Sequence, residues 1–112
     1  MDREQLEKLG REYQELQMQL QSLALQKMQF GEQKEEYTQA RKHLESASGR
    51  IYAEVGGLIV ETTKDGAMKE LSDKLESVEM RLGIVGKQYD EAVKKEQSMR
   101  TALNAEIDGQ DK

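Results

Sequence analysis

Two heptad ladders run inward from the two ends of this chain and stop at one short β-type segment. The first places Leu6, Leu9, Tyr13, Leu16, Leu20, Leu23, Phe30, Tyr37 and Leu44 on one stripe in alternating steps of three and four. Lys27, Lys34 and Arg41 fill its remaining slots. The second runs Leu71, Leu75, Val78, Leu82, Val85, Tyr89, Ala92, Met99 and Leu103, with Glu96 in the open slot. That spacing belongs to helices that each turn one apolar seam toward a partner helix. The fold class it predicts is mainly α: a long antiparallel coiled-coil hairpin of two helices, joined by one β-hairpin.

Composition agrees with a seam in place of a globular core. Of 112 residues, 36% are hydrophobic and 35% charged, and there is no Trp and only one Phe. The length bounds the chain to a single domain, 1–112. No Pro interrupts either ladder; inside a helix one would cost about 3 kcal/mol. Without Cys there are neither disulfides nor thiolate metal sites, which fits a reducing compartment. No apolar run could span a bilayer and no signal-peptide core is visible, so the expected location is cytoplasmic, with no membrane partner. The net charge of −5 is shared, ten acids against eight bases before Gly57 and twelve against nine from there on. Such a balance argues against nucleic acid as a partner, because phosphate binding needs clustered Lys and Arg.

Polar residues fill most positions off the stripes, with acids four residues ahead of bases at Glu4/Lys8, Glu7/Arg11, Glu70/Lys74, Asp90/Lys94 and Glu91/Lys95. Each pair adds about 0.2–0.5 kcal/mol to an exposed helix, so the seam carries most of the stability. Gly31, Gly83 and Gly86 soften the ladders without ending them. The first helix is expected over about 2–47, closed by Ser46-Ala47-Ser48-Gly49 with Gly49 as a left-handed C′ residue. The second is expected over about 65–107, and Thr62, Thr63 and Asp65 all offer N-caps for it. At 1.5 Å per residue, ladders of about 45 residues make rods of roughly 65–70 Å. A short connection forces them antiparallel, placing Leu44 near Leu71, Phe30 near Val85 and Leu9 near Glu106.

The hairpin, about 50–63, turns at Gly56-Gly57, since Gly-Gly suits the positive φ angles of a two-residue turn. One face then carries Ile51, Ala53, Val55, Leu58, Val60 and Thr62, the other Tyr52, Glu54, Ile59 and Glu61. An isolated two-stranded hairpin is marginal in water and both its edges are open. Either several chains pool their hairpins into a larger sheet or barrel, or the hairpin folds back on its own coiled coil. The first reading makes Ile51, Tyr52, Ala53, Val55, Gly56, Gly57, Leu58, Ile59 and Val60 an oligomerisation site.

The chain resembles the β-class subunits of the prefoldin family over nearly its whole length. Most specific is the stretch from Ile51 to Thr62, similar to a family pattern of an aromatic residue, Val-Gly, and an apolar strand ending in Glu or Lys with Thr. Ala67-Met68-Lys69-Glu70-Leu71, Leu75-Glu76 and Arg81-Leu82 resemble the start of the family's second helix. The N-terminal half matches only as a Gln-rich amphipathic helix. One hairpin in a short chain points to the β class. Lys27, Lys34 and Arg41 depart from an ideal seam, although their stems can pack while their charges reach solvent. The resemblance implies a hexamer of two α-class and four β-class subunits, with the hairpins joined in an intersubunit β-barrel. It also implies an ATP-independent chaperone that holds non-native proteins at its distal coiled-coil ends and delivers them to a group II chaperonin.

The residues lead toward the same surface. Met1, Leu6, Leu9, Tyr13 and Leu16 meet Met99, Leu103 and Ile107 where a coiled coil frays and seam residues splay. Met18 and Leu25 sit a heptad apart on the outer face of the first helix, with Met28 close by. Leu6, Leu9, Tyr13, Leu16, Met18, Leu25, Met99, Leu103 and Ile107 are therefore the client-binding candidates, read against plain seam packing or scattered surface hydrophobes. Binding would be regional, through many weak apolar contacts from several chains.

Other chemistries find little support. His43 beside Lys42 has no second His and no Cys to join it, so it reads as a solvated side chain. Glu35-Glu36 and Asp90-Glu91 lack a cleft that would make acid/base pairs of them. Gly56-Gly57 lacks the Lys and Ser/Thr of a phosphate loop. The expectation is no enzyme, no catalytic residue, no metal and no cofactor. The competing reading is a structural adaptor that oligomerises through its hairpin.

Overall fold

The computed structural model of the protein describes residues 1–110, with side chains to Gly109. Helix α1 is Arg3–Ser46, strands β1 and β2 are Ile51–Val55 and Leu58–Thr62, and helix α2 is Lys64–Gln110. Two long helices with an antiparallel hairpin between them are what the ladders predict. Both helices pass through their glycines without a break.

Side chains fix the helix ends. Asp2 and Gln5 form a reciprocal cap: the Gln5 N–H donates to Asp2 Oδ1 at 2.8 Å and the Asp2 N–H to Gln5 Oε1 at 3.1 Å. Of the three candidate caps for α2, Thr63 is the one used, its Oγ1 accepting from the Gly66 N–H at 3.0 Å. At the other end of α1, Lys64 Nζ donates to the carbonyls of Glu45 and Ala47 at 2.8 and 3.2 Å. A cation there satisfies orphan acceptors and opposes the negative end of the helix dipole. Gly49 does take a left-handed φ of 85°. It lies three residues beyond Ser46, however, so it bends the connection and is not the residue that closes the helix.

The chain divides into two compact units, residues 1–27 with those described from 84 onward, and Met28–Gly83. In the first, the helical stretches run antiparallel: Tyr13 bonds Glu96, while the Met1 amine lies 3.8 Å from Glu106. Leu16, Leu23, Val85 and Ala92 are its buried side chains. In the second unit Leu44 and Val78 are buried, and Leu44 and Leu71 border the same hollow.

These six buried residues share one property. All lie on the same alternate column of their ladder, seven residues or a multiple of seven apart. The other column, holding Leu6, Tyr13, Leu20 and Lys27 in α1 and Leu75, Leu82, Tyr89 and Glu96 in α2, is half-buried or exposed. A helix with a single partner fully covers only the column aimed at it. That explains why bases are tolerated in the ladder: Lys27, Lys34 and Arg41 all fall on the outer column. Lys27 Nζ rests 5.1 Å from the centre of the Tyr89 ring, a cation–π contact that keeps its charge near water.

Among the exposed i,i+4 pairs, Glu70 and Lys74 meet at 3.2 Å. Glu7 pairs back to Arg3 at 3.2 Å and not forward to Arg11.

Candidate functional site

Two surfaces stand out, one in each unit. In the second unit the strand register pairs Ile51 with Thr62, Ala53 with Val60 and Val55 with Leu58, which is the register the Gly-Gly turn dictates. Gly56 and Gly57 have φ of 57° and 83°, the positive pair that a tight hairpin of this twist needs. Among the described residues the sheet has two strands, so each has one unpaired edge. Ile51 and Ala53, at the base, are half-buried and border an open hollow of about 770 Å³ with Leu44, Ala67 and Leu71. Exposed His43 lines the same hollow. Toward the turn the covering stops. Tyr52, Val55, Leu58, Ile59 and Val60 are between 42% and 77% exposed, on both faces of the hairpin. Five large apolar side chains open to water within ten residues, beside two free strand edges, are the kind of surface that natural proteins normally cover.

In the first unit the client-binding candidates separate into three groups. Leu16 is buried and belongs to the seam. Leu6, Leu9, Tyr13, Met99 and Leu103 are half-buried along it. Met18, Leu25 and Ile107 are exposed. Leu16 and Met99 border one shallow groove with Glu12, Glu15, Gln19 and Lys95. Leu9 borders another with Met1, Gln5, Lys8, Glu12 and Glu106. Met18 and Leu25 line neither groove and look outward from α1.

Besides the Met1–Glu106 ion pair, a side-chain hydrogen bond crosses this seam. The Tyr13 hydroxyl donates to Glu96 Oε1 at 2.7 Å, and Arg100 Nε lies 3.8 Å from the same oxygen. Glu96, the acid in the ladder's apolar slot, thus has partners on both helices. The Tyr13 phenol is held above its ordinary value, first because its proton is bound by the Glu96 carboxylate. Loss of water and the negative charge of Glu96 act in the same direction, while Arg100 and Gln17 partly oppose them.

Met80 and Ile84, 63% and 55% exposed, were not among the candidates. The signal was available: like Met18 and Leu25, each is an apolar residue off its ladder's stripe.

Two long helices with heptad seams, and an open apolar hairpin between them in the chain, define a class of coiled-coil proteins. Comparison with known proteins identifies which. The sequence model of the prefoldin subunit family matches residues 7–110, and the chain belongs to that family. It is similar to the prefoldin subunit beta of Pyrococcus horikoshii, 32% identical over 77 residues, or 64% of this chain. That stretch spans 66% of the relative's length, just under two thirds. Its likeness to the Pyrobaculum calidifontis prefoldin subunit beta is longer, 29% identical over 104 residues, 91% of this chain and 83% of the relative. Among solved structures, the prefoldin beta subunit from Thermococcus strain KS-1 superposes with a TM-score of 0.83 at 30% identity, covering 90% of both chains.

Proposed function

We propose that this chain is a β-type subunit of an ATP-independent holdase, which captures non-native proteins and passes them to a group II chaperonin. It assembles through Ile51–Val55 and Leu58–Thr62 with α-class and other β-class prefoldin subunits, two α to four β, in the cytoplasm. No residue takes a catalytic role.

The observation that carries this reading is the unfinished hairpin. Its apolar side chains face water on both sides and its two edges lack ladder partners. Pairing edges with neighbouring hairpins and burying Val55, Leu58, Ile59 and Val60 removes both liabilities at once. Each such side chain, once buried, contributes about 1.5–3 kcal/mol. The β-subunit relatives supply the kind of neighbour.

Client holding is supported by the apolar groups that the seam leaves open. Met18, Leu25, Met28 and Ile107 are exposed in the chain as folded. Leu6, Leu9, Tyr13, Met99 and Leu103 stand half-open beside them in sequence and can add contacts; Leu16 can join only where the two helices part.

Native mass spectrometry of this chain, alone and mixed with an α-class prefoldin subunit, tests the assembly. A mixed hexamer with four copies of this chain is the expected result. A monomer or dimer that ignores the α subunit would replace the holdase with the adaptor. Suppression of aggregation of an unrelated unfolded protein, at near-stoichiometric ratio, tests the activity itself.

A further inference from the structure

Residues 16–26 of α1, reading LQMQLQSLALQ, contain no charged side chain. It is the longest such run in a chain that is 35% charged, where eleven residues would ordinarily hold about four charges. Leu16 and Leu23 point into the seam and account for its inner face. The outer face has no such explanation. There Met18 is 70% and Leu25 50% exposed. Seven residues of helix set them about 10.5 Å apart along the axis. Between them stand Gln21 and Ser22, three and four residues on from Met18. The Ser22 hydroxyl accepts from Gln26 Nε2 at 3.2 Å, and among the described hydrogen bonds the Gln21 side chain makes none.

Resting on the holdase reading above, we propose that this uncharged outer face of α1 is the principal client-holding surface, and that its partner is an extended, uncharged stretch of non-native polypeptide. The chemistry is complementary in three respects. Met18 and Leu25 supply two apolar anchors, one of them a thioether flexible enough to fit side chains of many shapes. The glutamines each carry an amide donor and acceptor. An extended segment exposes free backbone N–H and C=O groups to meet them, whereas a helix has already used its own. Finally, covering an uncharged face strips no ion of its water, a far larger penalty than covering amides. Charged helix surfaces elsewhere in the chain would select clients by charge; this one discriminates only between extended and folded backbone.

The test uses the full chain in the assembly it forms. The probe is a fluorescein-labelled unstructured peptide made only of Leu, Val, Ser and Gln, read by fluorescence anisotropy. Affinity for the wild type should change by less than about twofold between roughly 50 and 500 mM salt, since no ion pair is being screened. Met18→Glu with Leu25→Lys keeps the net charge and alters only exposed positions, and should weaken binding by about tenfold or more. Gln21→Glu, a single charge between the anchors, should weaken it several-fold. Helicity and oligomeric mass should stay at wild-type values in both variants. Unchanged affinity in both variants, a steep fall with salt, or preference for the same peptide locked as a helix would each overturn the assignment. So would aggregation suppression by a wild type that does not bind this peptide. A wild type that neither binds the peptide nor suppresses aggregation removes the holdase reading itself.

Discussion

Tyr13 and Glu96 show what a single polar pair can do within an apolar ladder. The phenol donates to the carboxylate at 2.7 Å, and its raised pKa means the fold favours the protonated phenol. A group whose folded pKa is raised contributes stability that is complete below its unfolded pKa, 10.0 for tyrosine, and is lost as pH rises through the folded value. Ionised, Tyr13 would confront Glu96 with a second negative charge. Thermal melts should therefore show the wild type losing stability more steeply than Tyr13→Phe above about pH 10. At neutral pH the variant should melt lower, having left Glu96 without its donor. Parallel alkaline slopes for the two proteins would show the contact carries no linkage. This pair was only half legible in the sequence. The ladder placed Tyr13 and Glu96 each in a slot of its own seam. Which tyrosine would meet the acid depends on how the helices are offset, and heptad spacing does not fix that offset. Heptad spacing likewise put Leu16 among the client-binding candidates, and only packing distinguishes it, buried, from Leu9, half-open two turns earlier.

At the scale of elements, periodicity and turn chemistry were nearly sufficient. The positive φ of Gly56 and Gly57 and the pairing of Val55 with Leu58 follow from two glycines between apolar runs. Both helices could be read from the alternating steps of three and four. The ends were less legible, because capping depends on side chains that reach across gaps in sequence. Nothing near Lys64 marks it as the donor to Glu45 and Ala47, nearly twenty residues earlier, since the contact exists only once the hairpin has brought α2 back to α1. The connection from Ala47 to Arg50 has no other tie of this kind to α2 among the described hydrogen bonds. Lys64→Met keeps the length of the stem and removes the donor. It should cost about 0.5–1.5 kcal/mol, the net worth of an ordinary hydrogen bond, since water solvates this exposed ammonium and weakens its charge-assisted contacts. It should also speed amide exchange in the last turn of α1. Exchange protection unchanged from wild type around Leu44–Ala47 would mean that water serves those carbonyls equally well.

At the scale of the whole molecule, the chain holds its apolar surface in two forms. The seam hides one, as in Val78 and Leu23, and the hairpin and the outer face of α1 leave the other in water. Leu58 and Ile59 stay in water where a polar residue would serve the isolated chain as well, which is the pattern expected of the proposed assembly surface. Val55 and Val60 give the sharpest test, because they lie on one face of the hairpin and neither is buried within the chain. Charges placed there should cost the isolated chain little, surface changes being worth within about 0.5 kcal/mol. In an assembled sheet the same charges would be stripped of water without partners, several kcal/mol each. Val55→Asp with Val60→Asp should therefore dissociate the complex into monomers whose circular dichroism is still mostly helical. The two measurements separate the possible causes. Loss of helix together with loss of mass would make the valines part of the fold. Full mass with full helix would move the assembly platform away from the hairpin altogether. Helical monomers alone are the result that ties oligomerisation to this surface.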